Sequence, residues 1–248
     1  MPVRTGFDAR RLLERPLVGR AVAGLLGGRL LAGPRIDDAL RVAGELIATG
    51  RRVALEHVPG PSDDAEREFA SLIRRVHGAG LVPACELTLP VDLLGADAVR
   101  RLARDAVTAG LVVALTGPAE GISGVTVVIP AGDPGAEDRC RALADGRVRL
   151  VQGRGAAADL AFVRCLNLLM AADGHPEIEA SDPRLIAITG ERAAWNGRAL
   201  DSWEHVMPYG VLIDEQRRLV AGGHTVRVAV PSGPGAASVV ARRLGGRA

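Results

Sequence analysis

The chain has 248 residues, of which 48% are hydrophobic and 24% are charged, so it is long enough to bury a large core within one domain. Its formal net charge is only +2 and 2% of its residues are aromatic, which excludes the basic, aromatic-rich surface typical of nucleic-acid-binding proteins. All 31 basic residues are arginine, and the absence of lysine excludes Schiff-base chemistry on a lysine side chain.

The N-terminal part of the chain is apolar but does not have the pattern of a membrane helix. Arginines and glycines interrupt the apolar run at 16–31, which is typical of an amphipathic lead-in rather than of a signal or a membrane span. Three cysteines are too few and too widely spaced for a metal site or a disulfide framework, so we expect reduced, buried thiols at Cys85, Cys140 and Cys165. These features predict a cytoplasmic protein with a lead-in segment at 1–35 and one domain at 36–248.

Predicted helices and strands alternate along this domain. Apolar residues at helical spacing, with caps and glycines at the ends, predict helices at 36–48, 65–77, 93–109, 136–144, 156–172, 183–189, 212–221 and 236–244. Short aliphatic and β-branched runs predict strands at 52–58, 81–87, 111–116, 125–129, 148–152, 177–180, 202–207 and 224–230. Only residues 117–123 separate the third strand from the fourth, which is too short for the helix that normally joins parallel strands.

Eight strands with helices between nearly all of them predict a single (β/α)8 barrel. In such a barrel the functional residues lie where the carboxyl ends of the strands meet the following loops. A doubly wound open sheet is the alternative, but no glycine-rich dinucleotide-binding turn follows the first strand. We therefore expect a parallel barrel that lacks the crossover helix after its third strand.

The most informative stretch is 201–233, DSWEHVMPYGVLIDEQRRLVAGGHTVRVAVPSG. Pro208 ends the seventh predicted strand and leaves Tyr209 in the loop after it. An amphipathic helix follows, with acidic residues in its first turn and two glycines past its end, and Pro231 is expected to stop the eighth strand. Strand, loop, helix and strand form one unit of a parallel α/β sheet.

This stretch, together with ARRLGGR near the end of the chain, resembles the C-terminal third of the proline dehydrogenases. These are flavin-dependent (β/α)8 barrels that oxidise proline to pyrroline-5-carboxylate. The segments RLLAGPRIDDAL (29–40), VRLVQG (148–153) and SDPRLI (181–186) resemble segments of the same family in the same order. The resemblance implies FAD as the cofactor, proline or a related amino or imino acid as the substrate, and a barrel over most of 29–247.

The resemblance also implies which residues hold the substrate. Arg242 and Arg243 in the last predicted helix correspond to paired arginines of the family, and a guanidinium fork suits a carboxylate. Tyr209 corresponds to a tyrosine of the substrate pocket, to which we give a catalytic role, and Glu204 to an acid that precedes it. The alternative for the two arginines is an ordinary solvated pair near a helix C-terminus.

The positions at which the family contacts its flavin hold other residues in this chain. This chain replaces the family's polar and charged flavin contacts by small, apolar, neutral or oppositely charged groups. The replaced family residues are lysines, acids, a glutamine, an arginine, a threonine and a histidine. The residues that stand in their places are Glu86, Leu115, Gly117, Ile129, Pro134, Gln152, Ala180 and Ser181. The polar candidates that remain for binding the cofactor are Gln152, Arg149 and Arg154.

Two hypotheses of function remain open. The first is a divergent, FAD-dependent proline dehydrogenase-like oxidoreductase, and the second is a catalytically inactive barrel that binds an amino-acid carboxylate or a protein partner. A different acid/base or metal chemistry would need several titratable residues near the strand ends to converge on one point inside the barrel. Two residues that are neighbours along a strand cannot both point inward, which weakens this alternative. For these residues we favour solvated or core-bridging roles over a metal site: Glu56, His57, Glu86, Glu204 and His205.

Overall fold

The computed structural model describes residues 29–61, 64–118 and 122–244, without the side chains of residues 239 and 242–244. Eight parallel strands close into a barrel in which each strand pairs with its neighbours in sequence and the eighth pairs with the first. The predicted (β/α)8 barrel is therefore confirmed. The strands are β1 (Arg52–His57), β2 (Cys85–Pro90), β3 (Val112–Thr116), β4 (Thr126–Pro130), β5 (Arg147–Val151), β6 (His175–Glu179), β7 (Glu204–Pro208) and β8 (Val226–Ser232).

Helices precede, separate and follow these strands. They are α1 (Ile36–Ile47), α2 (Ala65–Gly78), α3 (Val91–Leu94), α4 (Ala96–Thr108), α5 (Ala136–Ala142), α6 (Ala156–Ala171), α7 (Pro183–Trp195), α8 (Ile213–Ala221) and α9 (Ala236–Leu244). The described residues between β3 and β4 contain no helix, as the short spacing predicts. Among the helices in the described ranges, none combines the length and apolar character needed to span a membrane.

Alternation along each strand sends one set of side chains into the barrel and the other set toward the helices. The outward set is mostly aliphatic and packs with the helices in two apolar clusters. Leu55, Leu87 and Val230 belong to one cluster, and Leu150 and Met207 belong to the other. Full burial of each such side chain contributes about 1.5–3 kcal/mol, so this layer is the main stabilising element of the fold.

The helix before β1 occupies the position that a helix after β8 usually takes. Ala39, Val42 and Ala43 of α1 are buried in the same cluster as Val53 of β1 and Val228 of β8. The final helix α9 therefore begins elsewhere. The backbone N–H of Gly235 donates to the carbonyl of Val58 just past β1, so α9 starts at the carboxyl-end face of the barrel.

Four predicted elements differ from the structure. The strand predicted at 81–87 is Cys85–Pro90, because Val82–Ala84 form a short 3-10 helix, and the helix predicted at 183–189 continues to Trp195. The single helix predicted at 93–109 is two helices, because Gly95 between them has a φ of 77° that helical residues do not adopt. The predicted stop at Pro231 is wrong, since β8 continues to Ser232. Pro231 is tolerated because it lies beyond the last residue of β7, so no neighbouring strand loses a hydrogen-bond donor.

Candidate functional site

The carboxyl ends of the strands form the mouth of the barrel, and Tyr209 lies there directly after β7. Its backbone N–H donates to the carbonyl of Ala229 at 2.9 Å, which fixes the turn to β8. The side chain is half-buried against the apolar cluster around β1, β2 and β3. The structure thus places the predicted substrate-pocket tyrosine on the functional face of the fold.

A segment before α1, which we call the strap (Arg29–Gly33), crosses the mouth beside this turn. The N–H of Ala32 donates to the carbonyl of Pro231, and the carbonyl of Gly33 accepts from the N–H of Gly233, both at 3.0 Å. Gly210 has a φ of 74°, and a Cβ atom there would overlap the carbonyl of Arg29. Because only glycine fits this crossing, the strap and the tyrosine turn are held in close contact.

Gln216 of α8 holds the tyrosine turn from the other side. Its side-chain amide donates to the carbonyls of Val211 and Pro208 at 2.8 and 3.3 Å, and the residue is only 1% exposed. The sequence motifs did not single out Gln216. Gln216 lies three residues before Leu219, so both side chains are on the buried face of α8. This helical spacing was the signal that could have identified Gln216.

His57 joins β8 to α2 next to the mouth. One ring nitrogen, Nδ1, lies 3.1 Å from the Ser232 hydroxyl and the other, Nε2, lies 2.8 Å from a Glu68 carboxylate oxygen. Ser232, His57 and Glu68, linked in this chain of bonds, are the residue types of a hydrolytic triad. However, Ser232 and His57 are 0% and 2% exposed and point toward the helix layer. A buried hydroxyl cannot reach a substrate, so this chain fixes the end of β8.

The lower part of the barrel interior is filled by an ion-pair network. Arg149 donates to Glu177 at 2.6 and 2.9 Å and also to Glu86. Arg227 donates to both oxygens of Glu204 at 2.8 and 3.0 Å. These five residues, the interior network, are at most 2% exposed. Each of the five charged groups faces an opposite charge within the barrel, as buried charges require.

The two acids around Arg149 differ in their affinity for a proton. Burial raises the pKa of Glu86 to about 7, and the charge of Glu177 adds to the rise while Arg149 opposes it. Burial acts on Glu177 as well, but Arg149 and Arg227 outweigh it and lower its pKa to about 2. Glu86 is therefore the acid that holds a proton near neutral pH, and its protonated carboxyl can donate to Glu177.

Two predicted site residues belong to this network instead of the mouth. Glu204 is the first residue of β7, five residues before Tyr209, so the two are separated by roughly 16 Å of extended chain. Its contacts with Arg227, Arg52 and His175 place it among the buried ion pairs. Arg149, proposed for the cofactor, is likewise engaged with Glu86 and Glu177 inside the barrel.

The other candidates lie around the mouth. Gln152 follows β5, and its Oε1 accepts the backbone N–H groups of Ser181 and Asp182 at 3.0 and 3.2 Å. Arg154 is exposed just before α6. Arg242 and Arg243 lie two turns into α9, roughly 9 Å along the helix from its start at the mouth. The structure thus brings Tyr209 and the start of the arginine-bearing helix to one face of the barrel.

The expectation that Glu86 and Glu204 end their strands was wrong. Both lie at the beginning of their strands, so they cannot meet Glu56 and His57, which end β1. Within the described ranges, no three or more histidine, cysteine, aspartate or glutamate side chains converge on a possible metal position. Leu115 and Ile129, two of the predicted flavin positions, pack in the helix layer instead of facing the interior.

Comparison with known proteins gives a match at the level of structure alone. Neither the protein-family models nor the curated protein sequences match this chain. Among solved structures, proline utilization A (PutA) from Bdellovibrio bacteriovorus, inactivated by N-propargylglycine, superposes with a TM-score of 0.79 and 14% identity over 92% of this chain. PutA from Corynebacterium freiburgense gives a TM-score of 0.70 at 14% identity over 95%.

This chain has the fold of one part of PutA. It covers 33% of the Bdellovibrio protein and 32% of the Corynebacterium protein, so it spans about a third of their length. PutA from Bradyrhizobium japonicum agrees, with a TM-score of 0.65, 18% identity and 31% of its length covered. The shared fold is the proline dehydrogenase-like barrel that the sequence motifs imply.

Proposed function

We propose that this proline dehydrogenase-like barrel binds proline, or a related amino or imino acid, at its mouth by the carboxylate. The observation that carries the proposal is the fixed position of Tyr209, held at the mouth by Gln216 and the strap. Arg242 and Arg243, on the helix that starts from the same face, would supply guanidinium forks to the carboxylate. Tyr209 would form the wall of the ligand site.

The residues at the family's cofactor positions do not fit a flavin held in the family's manner. A lysine position is taken by Glu86, whose Oε1 accepts from Arg149 inside the closed interior network. Gln152 uses its oxygen to hold the loop after β6. Arg149 is 1% exposed and bonded to two acids, so it has no free face for a cofactor. We therefore propose a ligand-binding barrel that does not carry out flavin chemistry.

FAD-dependent oxidation of proline to pyrroline-5-carboxylate is the second candidate function, and the structural similarity to PutA favours it. Gln152 and Arg154 at the mouth, with Arg149 beneath them, are the polar residues that would face the cofactor. In that case the flavin would supply the redox chemistry, and the protein would contribute binding and orientation.

The visible absorption spectrum of the purified protein separates the two candidates. We expect a colourless protein that remains without flavin absorption after incubation with FAD and removal of the excess. A yellow protein that is bleached by proline would instead establish the oxidoreductase. As a control, proline must leave free FAD unbleached under the same conditions.

Ligand binding at the mouth can be followed through Tyr209, since it is the only tyrosine of the chain. Fluorotyrosine labelling should give a single fluorine resonance, and we expect proline to shift it and to raise the melting temperature. Arg242→Ala should abolish both effects because the carboxylate loses a guanidinium partner. Arg100→Ala, which changes an exposed arginine of α4, is the matched control and should keep them.

A proline response that is the same in Arg242→Ala and in the unmodified protein would remove the arginines of α9 from the site. A resonance that does not move at any proline concentration would reject the ligand itself. This test does not depend on FAD, so it applies to both candidate functions.

A further inference from the structure

Three arginines are buried in the described part of the chain, and one of them has no anionic partner. Arg149 and Arg227 are 1% and 2% exposed, and each donates to carboxylates of the interior network. Arg51 is 8% exposed, yet its guanidinium group makes neither an ion pair nor a hydrogen bond, and its Nε is completely covered. A buried guanidinium group without a carboxylate is the exception in this protein.

Arg51 lies at the amino-end face of the barrel, opposite the mouth. It directly precedes β1, and its neighbour Arg52 turns into the barrel to meet Glu204, so Arg51 is directed toward the helices. The turn before it packs on α8, since a Cβ atom at Gly50 would lie 3.2 Å from a methyl group of Val220. Arg51 therefore lies between the end of α1 and α8.

Within the described ranges, no carboxylate is among the groups that shift the pKa of Arg51. Burial, followed by the positive charge of Arg217 on α8, lowers the pKa of Arg51. For Arg149, burial acts in the same direction but Glu86 and Glu177 outweigh it and raise the pKa. Arg217 is itself two-thirds exposed and pairs with Asp214 at the surface. The positive charge of Arg217 thus acts on Arg51, and no carboxylate of the described residues pairs with Arg51.

An uncompensated buried charge costs several kcal/mol, and proteins normally offset this cost with a partner. We propose that Arg51, just past the end of α1, and Arg217 of α8 form an oxyanion-binding site for a phosphate or carboxylate group. Guanidinium groups present parallel N–H donors that match two oxygens of either group. The exposed Arg217 would attract the anion at the surface, and the more buried Arg51 would bind it.

Thermal unfolding with defined anions tests the site. At equal ionic strength, 10 mM phosphate or acetate should raise the melting temperature above that in chloride by about 3–6 °C, the shift expected for a ligand at ten times its Kd. The anion that gives the larger shift identifies the ligand class. Arg51→Met should abolish the shift, whereas Arg100→Met, at an exposed ion-paired arginine of α4, should keep it.

Arg51→Met should also raise the melting temperature in chloride, because a methionine fills the same volume without a buried charge. Arg217→Met, on the exposed surface, should reduce the anion response and provides a second variant if Arg51→Met does not fold. The proposal is overturned if chloride stabilises as well as phosphate and acetate do, or if the Arg51 and Arg217 variants respond as the unmodified protein does.

Discussion

The inside of the barrel and the layer around it are built from the same eight strands but by opposite means. Outward residues such as Leu87, Leu150 and Val230 are aliphatic and pack against helices, whereas the inward residues Glu86, Arg149 and Arg227 of the same strands are charged and form ion pairs inside the barrel. The outer layer is stabilised by apolar burial, which tolerates small changes of shape. The interior depends on charge balance, so loss of one partner leaves another charge buried.

The interior network and the mouth of the barrel also differ in role, since the first contributes to stability and the second to ligand binding. Ionic side chains in the lower interior pair with one another, and the buried Arg149 and Arg227 donate to carboxylates of the interior network. The mouth is built from loops instead, with Tyr209 held by backbone contacts and by Gln216. Variants in the interior should therefore change the free energy of unfolding, while those at the mouth should change ligand affinity.

Removal of Glu204 should give the largest effect on the interior. Glu204→Ala removes the bidentate partner of Arg227 and the ion-pair partner of Arg52. We therefore expect the free energy of unfolding to fall by about 3–5 kcal/mol. Denaturant unfolding measures it. Glu215→Ala is the control, since its partner Arg218 is exposed, and should cost less than about 1 kcal/mol. A loss of proline affinity in Glu204→Ala without a loss of stability would place Glu204 in the ligand site instead.

The deprotonation of Glu86 should destabilise the interior as the pH rises through neutrality. Because burial raises the folded-state pKa of this acid to about 7, the folded protein binds more protons than the unfolded chain above pH 4.5. Stability should therefore fall as the pH rises from 5 to 8, by about 2–3 kcal/mol from this group. Glu86→Gln should remove this fall, since an amide keeps the shape and both hydrogen-bonding capacities without ionising. The exposed Glu45→Gln should keep it, and parallel pH profiles for the two variants would contradict the assignment.

The outer layer was predictable from sequence and the interior was not. Aliphatic alternation and helical spacing report which strand face is apolar, and this was enough to predict eight strands, the barrel and the missing crossover helix. Charged residues in strands carry no comparable signal of direction. The sequence pattern fits Glu86 and Glu204 equally well as acids at strand ends. Only the closed barrel places Glu86 beside Arg149 of β5 and Glu204 beside Arg227 of β8. Gln216 was missed for a similar reason, because sequence alone does not distinguish a polar side chain on a buried helix face from one that faces solvent.

The helix layer should respond to acid, in contrast to the interior, through His205 of β7. This residue is 3% exposed and packs against Trp203 and His224, with ring centroids 4.5 and 5.5 Å away, and its Nε2 has no hydrogen-bond partner. Burial lowers its pKa to about 4; His224 and Arg218 add to this effect and Glu215 opposes it.

Since the unfolded chain has an ordinary histidine pKa near 6.5, it binds the extra proton between pH 6.5 and 4, and stability is lost as the pH falls through this range. His205→Phe keeps an aromatic ring without the titrating group. We expect the unmodified protein to lose about 2 kcal/mol more than this variant between pH 7 and 5. His77→Gln, on the exposed face of α2, should retain the full acid sensitivity. If the His205→Phe profile follows that of the unmodified protein, the acid response originates outside the helix layer, and the two regions do not differ in the sign of their pH dependence.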